Sequence, residues 1–328
     1  MANVTIKDIA DYTKISVSTI SRALNNPDSV SDKKRQIINE AVNQLGYVPN
    51  YFASNLKSKT NHNIGFIVND VQNPFFNRLI RSIEKNLDNQ YKLFINFGLG
   101  DDERIDAKIH NFLGNSMSAI MFSPNNYNAN TARLLKQQGV YVLQLFTKQY
   151  EEFDSIVVDD YYGAYLAARR LLYSGHRRIM LIGFDNAIWQ TRVDGFCKAH
   201  GDLGLPMEEG SLFAIGDKEF ITDKICTKLL AFSPTAVITV SDTIGFNTIK
   251  AIQKLTLKIP QDISIVQYDD TSWADLLNIT AIGHPIDVLG KMIAEALVQG
   301  LKEGAHRKPV FRKMDPIVLE RESIKDIK

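Results

Sequence analysis

Hydroxyl groups surround a single arginine in the segment 16–25. Helical spacing places Val17, Ser18, Ser21 and Arg22 on one face, opposite an apolar face. Hydroxyl and amide groups suit hydrogen bonds to phosphate oxygens, and a guanidinium can donate two bonds to O6 and N7 of guanine. The chemistry of this segment is compatible with a helix that lies in the major groove of DNA. The alternative is that the hydroxyls only cap and pack while the arginine is solvated.

Three pairs of adjacent carboxylates could instead suggest acid/base catalysis: Asp101 and Asp102, Asp159 and Asp160, Asp269 and Asp270. Adjacent side chains on an extended segment point to opposite faces, so such neighbours do not converge on one bond. The sequence also lacks the GxxxxGK[ST], GxGxxG, HExxH and GxSxG motifs. We therefore expect no enzyme and no catalytic residues.

Metal, cofactor and disulfide sites are not indicated either. The two cysteines, Cys197 and Cys226, each lie in an apparent amphipathic helix and not in a CxxC or CxH pair. Five histidines lack the spacing of metal ligands and are interpreted as surface or packing residues: His62, His110, His176, His200 and His306.

Length and charge constrain the organisation of the chain. Its 328 residues exceed one ordinary core, so at least two domains are expected. The formal net charge is +1, yet residues 1–60 hold eight Lys and Arg against five Asp and Glu. The start has no leader pattern, and no apolar run approaches the ~20 residues of a membrane-spanning helix. We expect a cytoplasmic protein without a membrane partner.

Three short helices are predicted near the N-terminus. Thr5 can cap a helix from Ile6 to about Tyr12, with Asp8 completing a capping box. After a tight turn, Ser16 is the next N-cap, for a helix over 17–24. A third helix begins after Ser31 and stops at Gly46.

From residue 63 the pattern changes to short apolar runs that alternate with helical segments. Buried parallel strands have this pattern, and it predicts doubly wound α/β layers, split into two lobes, with ligands beyond the carboxyl ends of strands. The runs are 64–68, 93–95, 119–122, 140–143, 156–158, 179–182, 236–240 and 263–266, and the last strand is expected at 316–320.

Ordered motifs in both halves resemble the lac repressor and purine repressor (LacI/GalR) family over nearly the whole chain. They are VTIKDIA (4–10), ISVSTISRALN (15–25), LGYVPN (45–50), NPFF (73–76), GHRRI (175–179), RVDGF (192–196), SD (241–242), YDD (268–270) and LG (289–290). One departure is Lys14, where relatives often have glycine in the turn. The resemblance implies an all-α helix-turn-helix headpiece followed by two doubly wound α/β subdomains like those of periplasmic sugar-binding proteins.

The resemblance also implies domain boundaries and DNA contacts. The headpiece would be 1–50, the hinge helix 51–60, and the effector and dimerisation domain 61–328. Its N-subdomain would be about 61–160 plus 290–320, and its C-subdomain about 161–289. Leu56 would wedge into a minor-groove step, whereas without DNA the hinge would be a disordered linker. The implied DNA-contacting residues are Thr5, Ser16, Val17, Ser18, Thr19, Ser21, Arg22, Asn25, Asn50, Ala53 and Leu56.

A small effector, a sugar or sugar derivative, is implied between the subdomains. Arg192 and Asp269 would grip vicinal hydroxyls, the alternative being a structural ion pair. Phe146 departs from the family, whose members commonly have an aspartate there. The full implied set is Phe75, Phe76, Phe146, Trp189, Arg192, Ser241, Asp269, Trp273 and His284, the aromatics alternatively serving only in packing.

The implied partners are double-stranded operator DNA and a second copy of the chain. A homodimer is expected on a pseudopalindromic operator, because one headpiece reads too few base pairs. The residues after the last strand, 321–328, are too few for a tetramer-forming heptad tail. The predicted function is a repressor of sugar-utilisation genes. The alternatives are a cytoplasmic sugar-processing enzyme and a sugar sensor without a DNA role.

Overall fold

The computed structural model describes residues 4–25, 27–47, 62–68, 73–97, 102–123, 129–186, 188–216, 219–304 and 307–328. The chain divides into two compact units, Met1–Asn61 and His62–Lys328. The predicted hinge, 51–60, lies outside the described residues, as do Asn50, Ala53 and Leu56 and the side chain of Asn25.

The first unit is helical, as predicted. It contains α1 (Ile6–Thr13), α2 (Val17–Asn25), a 3₁₀ turn (Pro27–Ser29) and α3 (Asp32–Leu45). The Thr5 backbone N–H donates to the Asp8 carboxylate at 2.7 Å, and the Thr19 N–H donates to Ser16 Oγ at 3.3 Å. The buried core is Ile9, Ile20, Ala23, Ile38 and Ala41.

Lys14 ends α1 in the left-handed conformation, with φ 59° and ψ 23°. This conformation crowds the Cβ of any residue other than glycine. The lysine that departs from the family pattern therefore stands at a strained turn between α1 and α2.

The second unit contains two six-stranded sheets. The first sheet has the order β11-β5-β4-β3-β1-β2, with every pair parallel. Its strands are β1 (Asn63–Val68), β2 (Lys92–Phe97), β3 (Ala119–Phe122), β4 (Tyr141–Leu145), β5 (Asp154–Val158) and β11 (Phe311–Met314). The helices α4 (Pro74–Asn86), α5 (Asp102–Gly114) and α6 (Ala129–Gln137) connect successive strands.

The second sheet has the order β12-β10-β9-β8-β6-β7. Its strands are β6 (Ile179–Phe184), β7 (Leu212–Ile215), β8 (Ala236–Thr239), β9 (Ser264–Tyr268), β10 (Thr280–Gly283) and β12 (Ile317–Leu319). Its helices are α7 (Asp160–Tyr173), α8 (Trp189–Asp202), α9 (Ile221–Phe232), α10 (Asp242–Lys254) and α11 (Ser272–Leu276). The two parallel-sheet layers confirm the predicted fold class.

The chain passes between the two sheets three times: from β5 to α7, from β10 to α12 (Ile286–Glu303), and from β11 to β12. Helix α12 returns to the first sheet, where Leu289, Ile293 and Leu297 join its core. A Cβ on Gly290 would lie 2.2 Å from Ser82 Oγ, so glycine permits the close approach of α12 to α4.

Several strands differ from the sequence-based expectation. Strands β7, β10 and β11 were not predicted. Strand β2, expected to be buried, lies at a sheet edge and exposes Ile95 and Phe97. The last strand, β12, pairs antiparallel with β10 in the second sheet, so the returning segment 290–320 belongs to the first sheet only as far as β11. None of the helices in the described ranges combines the length and apolar character that a bilayer crossing requires.

Candidate functional site

Helix α2 presents one polar face to solvent. Ser16, Ser18 and Arg22 are exposed, and Val17 is 38% exposed. Ile20 and Ala23, on the other face, are buried in the headpiece core, so packing fixes which face remains outside.

The hydroxyls of this face bond to one another. Ser16 Oγ lies 3.1 Å from Ser18 Oγ and 2.9 Å from Thr19 Oγ1. At the start of α1, Thr5 Oγ1 donates to Asp8 at 2.7 Å. Arg22 Nε donates a long 3.4 Å bond to the Ser18 carbonyl. Exposed hydroxyls of this kind can exchange their hydrogen bonds within the protein for hydrogen bonds to phosphate oxygens. The Arg22 guanidinium makes only one long hydrogen bond and can donate to a stronger acceptor.

In the second unit, predicted ligand residues gather at the carboxyl ends of second-sheet strands. Ser241 lies just after β8, Asp269 after β9 and His284 after β10. Arg192 lies on α8, the helix that follows β6. This edge is where open α/β sheets place their ligands.

Arg192 is held in a buried ion pair. Its Nε donates to Asp160 Oδ1 at 2.8 Å, Nη2 lies 2.7 Å from the same oxygen, and Nη1 donates to the Val240 carbonyl at 2.5 Å. The guanidinium also lies over the Tyr268 ring, 4.8 Å from its centroid. Burial lowers the pKa of Arg192, but the combined attraction of Asp160, Tyr268 and Asp269, with the hydrogen bond to Asp160, outweighs it and raises the pKa above its ordinary value.

Asp269 lies beside His284. Asp269 Oδ1 lies 3.6 Å from His284 Nε2, too far for a good direct hydrogen bond. The other ring nitrogen, Nδ1, is buried and has no hydrogen-bond partner among the described residues. Asp269 itself is left-handed, with φ 65°, a strained conformation of the kind that clusters at binding sites.

Three phenylalanines from the first sheet's side form an aromatic cluster, Phe75, Phe76 and Phe146. Their ring centroids are 5.4 Å apart for Phe75 and Phe76, 5.5 Å for Phe75 and Phe146, and 5.7 Å for Phe76 and Phe146. Phe75 also meets His284 edge-on at 6.0 Å. The cluster thus touches the chain where it leaves the second sheet.

Ser241 and Trp273 have structural partners. Ser241 Oγ caps α10 by accepting the Ile244 N–H at 3.2 Å, and Trp273 Nε1 donates to Asp242 Oδ1 at 2.7 Å. A cavity of about 630 Å³ is lined by Ser241 and by Asn73, which precedes α4.

Trp189 starts α8 and packs against strand β6. A Cβ on Gly183 would lie 2.5 Å from the Trp189 ring. The structure thus gives this tryptophan a packing role, and ligand contact by it remains a prediction.

Asp160 is the site residue that sequence reasoning missed. The sequence drew attention to it only as half of an adjacent carboxylate pair. Its position just after β5 is the available signal, because residues that follow the carboxyl ends of parallel strands are those that open α/β sheets place near a ligand. Tyr268, part of a recognised motif, was likewise not assigned its place beneath Arg192.

Two family models match the chain. The model described as "Bacterial regulatory proteins, lacI family" matches residues 5–50. The model described as "Periplasmic binding protein-like domain" matches residues 168–324. The matches cover the helical unit with the α2 surface and the part of the second unit that carries Arg192 and Asp269.

Curated relatives match from end to end. A ribose operon repressor of Haemophilus influenzae is 29% identical, covering 99% of this chain and 99% of the relative. The HTH-type transcriptional repressor PurR of Aliivibrio fischeri is 29% identical, covering 98% of each chain.

Solved structures share the fold. A lac repressor dimer bound to operator and an anti-inducer is 22% identical with a TM-score of 0.82, covering 99% of this chain and 100% of that one. A LacI family regulator of Enterococcus faecium with bound ribose is 24% identical with a TM-score of 0.71, covering 81% of this chain and 100% of that one.

Proposed function

We propose that the chain is a LacI-type, sequence-specific transcriptional repressor controlled by a small carbohydrate, because its helical unit matches the lacI family model and its second unit matches the periplasmic binding protein-like model. The carbohydrate would bind where the strand ends of the second sheet meet the aromatic cluster of the first. The protein would act by binding and not by catalysis, in the cytoplasm, where its DNA lies.

The observation that carries the DNA-binding role is the polar face of α2. A short helix with exposed hydroxyls and one arginine, held by an apolar core behind it, fits the major groove. Ser16 and Thr19 would contact phosphates and set the position, while Arg22 would read a guanine.

A carbohydrate effector is supported by the relatives and by the chemistry of the strand-end residues. One relative is named a ribose operon repressor, and two structures with the same fold hold ribose and cellobiose. Asp269 supplies acceptors for sugar hydroxyls, and Phe75, Phe76 and Phe146 supply rings for a sugar's C–H face.

We further propose a two-fold dimer on a pseudopalindromic operator, with 1–50 as headpiece and 51–60 as hinge. A single short recognition helix covers too few base pairs for specificity, and paired headpieces double the site. Leu56 would wedge into a central minor-groove step. Its replacement by alanine would then reduce the operator bend, as measured by circular permutation of the DNA.

The DNA-binding role is tested by selecting genomic fragments with the pure protein and comparing Arg22→Ala with Arg35→Ala. Arg35 belongs to the same unit, but Asp32 pairs with it at 2.6 Å. Loss of a bidentate base contact, about 1–3 kcal/mol, weakens operator binding roughly 5- to 150-fold. Arg22→Ala should show this loss on operator and a much smaller one on random DNA. An equal loss on both, or equal effects of the two variants, would contradict base reading.

A further inference from the structure

The positive charge of Arg192 is neutralised by groups of the protein itself. Asp160 accepts from two of its nitrogens and the Val240 carbonyl from the third. The side chains of Arg192 and Asp160 are only 16% and 7% exposed. At this depth a phosphate would bring a second negative charge against the Asp160 carboxylate, in a medium where repulsion is poorly screened.

Asp160 also lies at a helix start. It is the first residue of α7, where the helix dipole favours an anion. The preceding residue, Asp159, caps the helix by accepting the Tyr162 N–H at 2.9 Å. The helix start thus holds two carboxylates beside the one guanidinium.

Two nearby cations are paired with carboxylates, whereas Arg78 of α4 donates to the backbone carbonyl of Asp270. Lys313 contacts Asp159 at 2.5 Å, and Arg321 contacts Asp270 at 2.6 Å. Asp269 faces a histidine, so the described strand-end residues offer a carboxylate and no uncommitted lysine or arginine.

One side of the site is apolar. Phe76 and Phe146 are half-buried, pack against each other, and lie with Phe75 next to His284. Phe146 has a left-handed backbone conformation, with φ 67°, so an aromatic residue occupies a strained backbone position beside the site. Apolar rings favour a C–H face or a methyl group over a charged or fully hydroxylated edge.

We propose that the effector is an uncharged carbohydrate with one apolar face, and that Asp160 excludes anionic effectors by neutralising Arg192. The proposal rests on the proposed function, because it specifies the ligand of the same site. Neutral hydroxyls meet Asp269 and the paired Arg192, and the apolar face meets the phenylalanine cluster.

The first experiment uses inorganic phosphate and needs no knowledge of the effector. Calorimetric titration at constant ionic strength compares the wild-type chain, Asp160→Asn, and the double variant Asp160→Asn with Arg192→Gln. We expect no saturable binding to wild type and saturable binding to Asp160→Asn, with an affinity at least about tenfold above the upper limit set for wild type, because a like charge has been removed. The double variant should lose this gain.

The second experiment uses the wild-type chain with ribose and ribose 5-phosphate, and with glucose, 6-deoxyglucose and glucose 6-phosphate. Any compound that binds should be neutral, and 6-deoxyglucose should bind at least as tightly as glucose. Thermal shift at matched ionic strength measures both comparisons.

Arg192-dependent phosphate binding by wild type, a preference for a sugar phosphate, or a folded Asp160→Asn variant that gains no phosphate binding would each overturn the proposal. If Asp160→Asn does not fold, the comparison of neutral sugars with sugar phosphates on the wild-type chain still decides whether the site selects against an anionic ligand. Operator binding is measured separately by mobility shift. Loss of the DNA role with these ligand results intact would remove the proposed function and leave the charge selection standing.

Discussion

Replacing Arg192 with alanine should destabilise the second unit by about 3–5 kcal/mol. The change leaves Asp160 buried and uncompensated, which is the costly way to break a buried ion pair. It also removes the Val240 bond and the contact with the Tyr268 ring. This change therefore tests whether Arg192 forms a structural ion pair, the alternative given in the sequence analysis, with Asp160 as its partner.

Removing both charges should cost less than removing the arginine alone. Asp160→Ala together with Arg192→Ala leaves neither charge unpaired, so we expect it to recover at least about 1–2 kcal/mol of the loss in Arg192→Ala. The four proteins form a double-mutant cycle whose interaction energy isolates the pair.

Urea unfolding followed by tryptophan fluorescence measures this cycle. The two tryptophans, Trp189 and Trp273, both lie in the second unit, so the signal reports on the unit that holds the pair. Additive effects, or an Arg192→Ala loss below about 1 kcal/mol, would show that the pair is not the buried and coupled interaction described above.

Three further predictions concern local structure. Lys14→Gly should raise the free energy of unfolding of the headpiece by about 0.5–1 kcal/mol, because the relief of left-handed strain exceeds the cost of the extra chain entropy of glycine. Amide exchange in α1–α3 of the whole protein should become slower, and unchanged exchange would contradict this. Gly195→Ala should lower the free energy of unfolding in urea by roughly 1–3 kcal/mol, because the new Cβ would lie 2.0 Å from the Tyr161 carbonyl oxygen. Gly201→Ala on the same helix places its Cβ in open space and should not destabilise the protein, so equal effects of the two changes would refute the packing argument. Burial lowers the pKa of His176, so below the ordinary histidine pKa near 6.5 the protein takes up a proton when it unfolds. The free energy of unfolding should therefore fall as the pH drops from 7 through 6. His176→Gln should flatten this slope, and an unchanged slope would exclude the histidine as its source.

The headpiece could be predicted almost completely from sequence, because its signals are local. Thr5 with Asp8, Ser16 with Thr19, and Gly46 after α3 each act within one turn of a helix. The eight apolar runs also became strands, since continuous apolar character is what burial between helices requires.

The missed strands are short and were missed for different reasons. Strand β11 reads Phe-Arg-Lys-Met and lies at an edge of the first sheet, so it has no continuous apolar run. Strand β7 reads Leu-Phe-Ala-Ile at an edge of the second sheet, and β10 reads Thr-Ala-Ile-Gly inside that sheet, where all four of its residues are buried. Periodicity alone does not distinguish such short runs from segments of a buried helix, so it passes over them.

The candidate site was predictable as a location but not as a set of partners. Strand ends identified Asp269 and His284, yet nothing in the sequence pairs Arg192 with Asp160, 32 positions earlier. That pairing depends on how α7 packs against α8, and on Gly195, which allows the close approach.

The three crossings between the sheets also affect how the protein is made. The first sheet's core needs Leu289, Ile293 and Leu297 of α12, and its edge needs β11, yet the whole stretch from α7 to β10 is synthesised first. At roughly 5–20 residues per second, this delay is on the order of ten seconds. During that time β1 to β5 wait on the ribosome with an uncovered apolar face, while most of the second sheet emerges after them. The lobe that begins first is therefore completed late, and it is the lobe most exposed to aggregation and to chaperones during synthesis.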